Sequence, residues 1–129
     1  MIRRRLLVLD CSDDCLQALS AIAPASFASL HLFGEPGTLL RLASRCEAPV
    51  VVLPLRDGGG APTLKLIEAL LRQAPAVRIA LFLRGQSALG NYVVEAIRAG
   101  AAEVLVDGED WTGIFARLRQ RPRPLLDRW

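Results

Sequence analysis

Asp10, Asp57 and Asp107 each stand just beyond a short aliphatic run, where carboxylates from separate loops can be brought together around a divalent cation. Asp57 could pair with Asp10 in that way, although the Asp57-Gly58 step equally marks a turn. Cys11 follows Asp10 directly, so a soft sulfur stands beside the hard oxygen, and Mg²⁺ does not accept it as a ligand. As a nucleophile Cys11 would need a base, and no His neighbours it. Cys11 and Cys15 lie four residues apart at a helix start and can share one side. A metal there would need two further ligands, and His31, the only His, belongs to a different element. Cys11, Cys15 and Cys46 are therefore read as small, reduced, buried side chains, which points to a reducing, cytoplasmic setting.

The triple glycine Gly58 to Gly60 precedes a helical segment, so its amides could cradle an anion. It matches neither the dinucleotide GxGxxG spacing nor a Walker loop with its Lys and hydroxyl. A flavin phosphate would need a receptive loop after the first strand, and Cys11-Ser12-Asp13-Asp14 puts negative charge there. A cobalamin site would need a loop His, and His31 lies inside a strand. No enzyme, cofactor or metal is expected.

These residues need a scaffold, and composition sets its kind. The chain has 129 residues, 52% of them hydrophobic and 22% charged, about one domain with a single sizeable core. The net charge of +3 comes from 15 Arg and one Lys against 13 acidic residues, with Arg clustered at Arg3 to Arg5 and Arg117 to Arg128. No basic stripe with interleaved aromatics crosses the body, so direct nucleic-acid binding is not expected. No secretory signal is read, since only four apolar residues separate Arg5 from Asp10, and no run approaches the roughly 18 apolar residues of a membrane span.

Short aliphatic runs alternate with helix-period segments, the pattern of βαβ units on a parallel sheet. Leu6 to Leu9 form the first strand. Ser12 caps a first helix with Cys15, Leu16, Leu19, Ile22 and Ala23 on one face, ended by Pro24. Ser29 to Phe33 form a second strand whose polar alternation suits the sheet edge. A helix opening at Glu35-Pro36 follows, with Leu39, Leu42, Ala43 and Cys46 inward. Val50 to Leu53, apolar at every position, belong mid-sheet. Pro62 opens a third helix with Leu64, Ile67, Leu70 and Leu71 inward, ended by Pro75. Ile79 to Leu83 form the fourth strand, and residues 89–99 a helix with Leu89, Tyr92, Val93, Ala96 and Ile97 inward. Gly100 stops that helix, Glu103 to Val106 form the fifth strand, and Asp110 caps a last helix with Trp111, Ile114, Phe115 and Leu118 on one face. Five such units give a three-layer αβα sandwich with a flavodoxin-like five-stranded parallel sheet in the order 2-1-3-4-5.

Over about residues 5 to 121 the chain resembles response-regulator receiver (CheY-like) domains. The resemblance is carried by the element pattern, by Leu53-Pro54-Leu55-Arg56, by Leu64 to Leu71, and by Ala96-Ile97-Arg98-Ala99-Gly100-Ala101 ahead of the last strand. The family keeps its chemistry at the C-terminal ends of the strands. The resemblance places Asp10 and Cys11 at the magnesium-binding acidic pair, Pro54 at the phosphate-accepting Asp, Leu83 at the Thr or Ser, and Asp107 at the Lys. The acceptor, the hydroxyl, the Lys and half the metal pair are all replaced, which implies a pseudo-receiver without aspartyl-phosphate chemistry.

The resemblance also implies an interaction face on helix four, strand five and helix five, from about Gly90 to Arg121. Its candidate groups are Tyr92, Arg98, Glu103, Asp110, Trp111, Arg117 and Arg119. The expected protein is a non-phosphorylated signalling or dimerisation domain of a bacterial transcription regulator, residues 1–121. It forms a homodimer through that face and acts on a protein partner or a fused output domain, with no membrane partner. Residues 122–129, led by the Arg-Pro repeat, read as a linker or the start of an output region. The alternative is a small-ligand or nucleotide sensor using the cleft around Asp10, Asp57, Arg84 and Asp107.

Overall fold

A strand that is aliphatic at every position can be buried only if both faces of its sheet are covered. In the computed structural model, which describes residues 4–10, 12–54, 63–83, 90–106 and 110–118, that condition is met. The strands are β1 (Arg5–Leu9), β2 (Ser29–Phe33), β3 (Val50–Pro54), β4 (Arg78–Leu83) and β5 (Glu103–Val106). The helices are α1 (Asp13–Ser26), α2 (Pro36–Ala43), α3 (Leu64–Gln73), α4 (Gly90–Ala99) and α5 (Thr112–Leu118). All pairings are parallel and the order is β2-β1-β3-β4-β5, as the alternation of elements predicts.

The period of two sorts the aliphatic runs into two cores. Leu6, Val8, Val50, Val52, Ala80, Phe82 and Leu105 face Cys15 and Leu19 of α1 and Phe115 and Leu118 of α5. Leu7, Leu9, Val51, Leu53, Ile79 and Leu81 face Leu39 and Ala43 of α2, Ile67 and Leu70 of α3, and Ala96 of α4. A one-residue slip of any central strand would exchange its two sets, so both layers enforce the register.

Local chemistry ends the helices where the sequence signals it, with two exceptions. The Ser12 hydroxyl accepts from the Cys15 amide at 3.3 Å, an N-cap for α1. Glu35 stands at the N-cap of α2, with Pro36 in the first turn. Gly100 closes α4 in a Schellman motif: its amide donates to the Ile97 carbonyl at 3.1 Å, and the Ala101 amide to the Ala96 carbonyl at 2.9 Å. The expected stop at Pro24 is corrected, because α1 continues to Ser26. Pro24 falls in its last turn, where the missing N–H forfeits one bond and little helix remains to be disrupted. Cys46, expected on α2, follows the end of that helix and is half-buried. Pro62 lies outside the described residues, and Thr63 is the N-cap of α3.

Candidate functional site

Strand order decides which residues can meet. β1, β3 and β4 are neighbours, so their C-terminal ends form one edge, and Asp10, Pro54 and Leu83 arrive there together. Val8 is in register with Val52 and Pro54 with Phe82, which sets Asp10, two residues past Val8, level with Pro54. Asp10 adopts a left-handed backbone with φ 49°, a conformation that Asp tolerates better than most residues, and its amide donates to the Phe33 carbonyl at 2.8 Å. That turn lifts the chain off the sheet toward Ser12 and α1.

Neither described strand end at the middle of this edge brings a nucleophilic side chain. Pro54 has neither a side-chain heteroatom nor an N–H, and Leu83 is buried at 5% exposure. The Pro54 carbonyl accepts a 2.6 Å hydrogen bond from the Thr63 hydroxyl, itself 4% exposed. Thr63 is the N-cap residue of α3, yet its side chain makes no capping bond. It ties the start of α3 back to the end of β3 instead. Sequence reasoning missed Thr63, and its position before an apolar helical run would have suggested only an ordinary cap. Cys11, Asp57, Asp107 and Arg84 lie outside the described residues, so of the expected pocket the structure brings together Asp10, Pro54 and Leu83.

The β5 side of the sheet holds the second expected site. Arg98 is exposed on α4, and Glu103 on β5 forms a 2.6 Å ion pair with Arg117 on α5, whose side chain is 58% exposed. The Glu103 carboxylate raises the Arg117 pKa further, first by hydrogen bonding and then by charge. Asp110 is exposed and accepts from the Thr112 amide at 3.0 Å and its hydroxyl at 2.7 Å. These bonds, the hydroxyl foremost, hold its carboxyl below the ordinary value. The side chain of Tyr92, and all of Arg119, fall outside what is described.

Two expectations on this face are corrected. Trp111, a candidate exposed group, is buried at 2% and packs edge-on against Phe82, centroids 5.4 Å apart at 76°. Phe115 in turn meets Phe27 at 5.6 Å and 88°, so a line of aromatic rings fastens α5 to the sheet. Ile97, expected inward, is 51% exposed, and Val94 one turn earlier is 47% exposed. Among the described side chains of α4, the small Ala96 is the buried one, at 1%. α4 thus shows solvent an apolar pair beside Arg98.

No protein-family profile and no curated protein sequence matches the chain. Solved structures do. The signal receiver domain of an HD domain-containing protein from Pseudomonas fluorescens Pf-5 matches with a TM-score of 0.74 and 21% identity, over 93% of this chain and 87% of that one. The beryllofluoride-activated NtrC4 receiver domain dimer gives 0.71 and 19%, over 88% and 92%. A CheY-like protein, TadZ from Pseudomonas aeruginosa PAO1, gives 0.67 and 22%, over 96% and 99%. No helix among the described residues is long and apolar enough to cross a membrane. At this level of identity the likeness speaks to architecture, and the chain has the fold of response-regulator receiver domains.

Proposed function

We propose that this chain is a signalling module of receiver fold that works without aspartyl phosphate, by contacts with a protein partner or a second copy through α4, β5 and α5. The observation that carries the proposal is Pro54. It occupies the end of the central strand, at the position where the receiver resemblance puts the phosphate-accepting Asp, and it has no atom able to attack phosphorus. Leu83 likewise brings no hydroxyl to the neighbouring strand end.

Val94 and Ile97 supply the apolar centre that an interface on α4 needs, and Arg98 with the Glu103–Arg117 pair supplies polar groups for its rim. The NtrC4 receiver domain, which shares the fold, is a dimer in its beryllofluoride-activated form. The chain proposed here would reach its associated state with no activating group, as the regulatory part of a bacterial transcription regulator or similar signalling protein.

Sedimentation equilibrium with and without acetyl phosphate and Mg²⁺ tests this reading. The expected result is an association constant that the phosphodonor leaves unchanged and that Val94→Asp with Ile97→Asp lowers. Association that appears only with the phosphodonor would overturn it.

A further inference from the structure

We infer that β2 is a self-association edge, pairing antiparallel with β2 of a second copy to continue the sheet across a two-fold axis. β2 ends the strand order, so one side of its backbone has no strand beside it among the described residues. Its five residues, Ser29-Leu30-His31-Leu32-Phe33, include no Lys, Arg, Asp, Glu or Pro, the residues that ordinarily guard such an edge. The other edge strand, β5, is shorter and opens on Glu103, which is held by Arg117. Leu32, at 50% exposure, is one of three large apolar side chains among the described residues that stand in solvent.

Backbone alternation fixes which groups point outward. The Phe33 carbonyl faces β1, where it accepts from Asp10, so the backbone groups of His31 and Ser29 face β1 as well. Those of Leu30 and Leu32 then point away from the sheet. In an antiparallel pairing centred on His31, Leu30 and Leu32 exchange backbone hydrogen bonds with Leu32 and Leu30 of the second copy. The same register sets each exposed Leu32 side chain against a Leu30 side chain on one face of the extended sheet.

Charge selects a second copy in this orientation. α2 packs beside β2, with Glu35 at its N-terminal end and Arg41 and Arg45 at and just beyond its C-terminal end. All three are exposed, and none forms an ion pair among the described residues. A two-fold axis normal to the sheet lays α2 antiparallel beside its copy, which brings Glu35 toward Arg41 and Arg45 of the second copy. A parallel approach would set like charges together.

Sedimentation equilibrium of the full chain tests the inference independently of the α4 face. Leu32→Pro removes only an outward N–H, which the isolated edge tolerates, and Leu32→Lys restores an ordinary edge guard. Each should weaken self-association at least about tenfold, whereas Val94→Asp with Ile97→Asp should leave a dimer. Glu35→Arg should weaken it too, and adding Arg41→Glu and Arg45→Glu should restore it. An assembly larger than a dimer, cut to a dimer by either the Leu32 or the α4 substitutions, supports both interfaces. A monomeric wild-type chain, or a dimer that survives Leu32→Lys and is lost with the α4 substitutions, overturns the inference. The latter outcome leaves the reading of α4 standing.

Discussion

Replacing Gly100 with alanine imposes two separate costs that can be measured apart. Gly100 has φ 126°, a backbone conformation that residues with a side chain rarely adopt. A methyl group there would stand 2.1 Å from Leu71 Cδ1, 3.4 Å from Cγ and 3.7 Å from Cδ2. The backbone contributes about 1 to 2 kcal/mol and the displacement of the half-buried Leu71 side chain about 0.5 to 1.5 kcal/mol, with about 0.5 kcal/mol returned by the stiffer unfolded chain. The net loss is about 1 to 3 kcal/mol, which at this chain length lowers Tm by roughly 3 to 12 °C. Urea unfolding of Gly100→Ala in the wild-type and Leu71→Ala backgrounds separates the parts. Truncating Leu71 removes the clashing Cδ1, so the second background should show only the backbone cost, a coupling of about 0.5 to 1.5 kcal/mol. Equal losses in both backgrounds, or a loss under about 0.5 kcal/mol in the first, would refute the reasoning.

Thr63→Val deletes the bond to the Pro54 carbonyl and should cost about 1 to 2 kcal/mol, seen as a lower urea midpoint at unchanged m; an unmoved midpoint would contradict it. Trp111→Ala empties the space between Phe82 and Phe115 and should cost about 3 to 5 kcal/mol in thermal or urea unfolding, whereas a surface tryptophan would cost almost nothing. The Asp110 carboxyl is held below its ordinary value of 3.8, so its contribution to stability is complete above that pH and is lost as pH falls through the lowered value. Thr112→Val removes the hydroxyl and should move the NMR titration of Asp110 upward; an unchanged midpoint would show that the hydroxyl does not set it.

The architecture was legible because period and punctuation agree. Val50 to Leu53 show an unbroken aliphatic run, and only a strand covered on both faces can bury one. Gly100 marks a helix stop that the Schellman bonds make in full. What the sequence leaves open is how far each helix face reaches the core. Ile97 has the spacing of a buried residue, but its neighbour Ala96 is the one turned to the core, which leaves Ile97 at the rim at 51% exposure. Pro24 misleads for a different reason, since a missing N–H stops a helix only where more helix would follow. Thr63 is invisible because its partner is a backbone carbonyl nine residues earlier, and a carbonyl carries no residue-type signature. At the strand ends, Pro54 and Leu83 close β3 and β4 where the aliphatic runs end, while the roles that the resemblance gives those positions are not written in the strand pairing.

The proposed reading is a receiver fold that works without aspartyl phosphate. Incubation of the purified chain with acetyl phosphate and Mg²⁺, followed by intact-mass measurement, tests it most directly. An unchanged mass is expected, because Pro54 has no nucleophilic side chain at the position where the receiver resemblance puts the acceptor. A gain of one phosphoryl group that disappears in Asp57→Asn or Asp10→Asn would contradict it and return the strand ends to phosphotransfer.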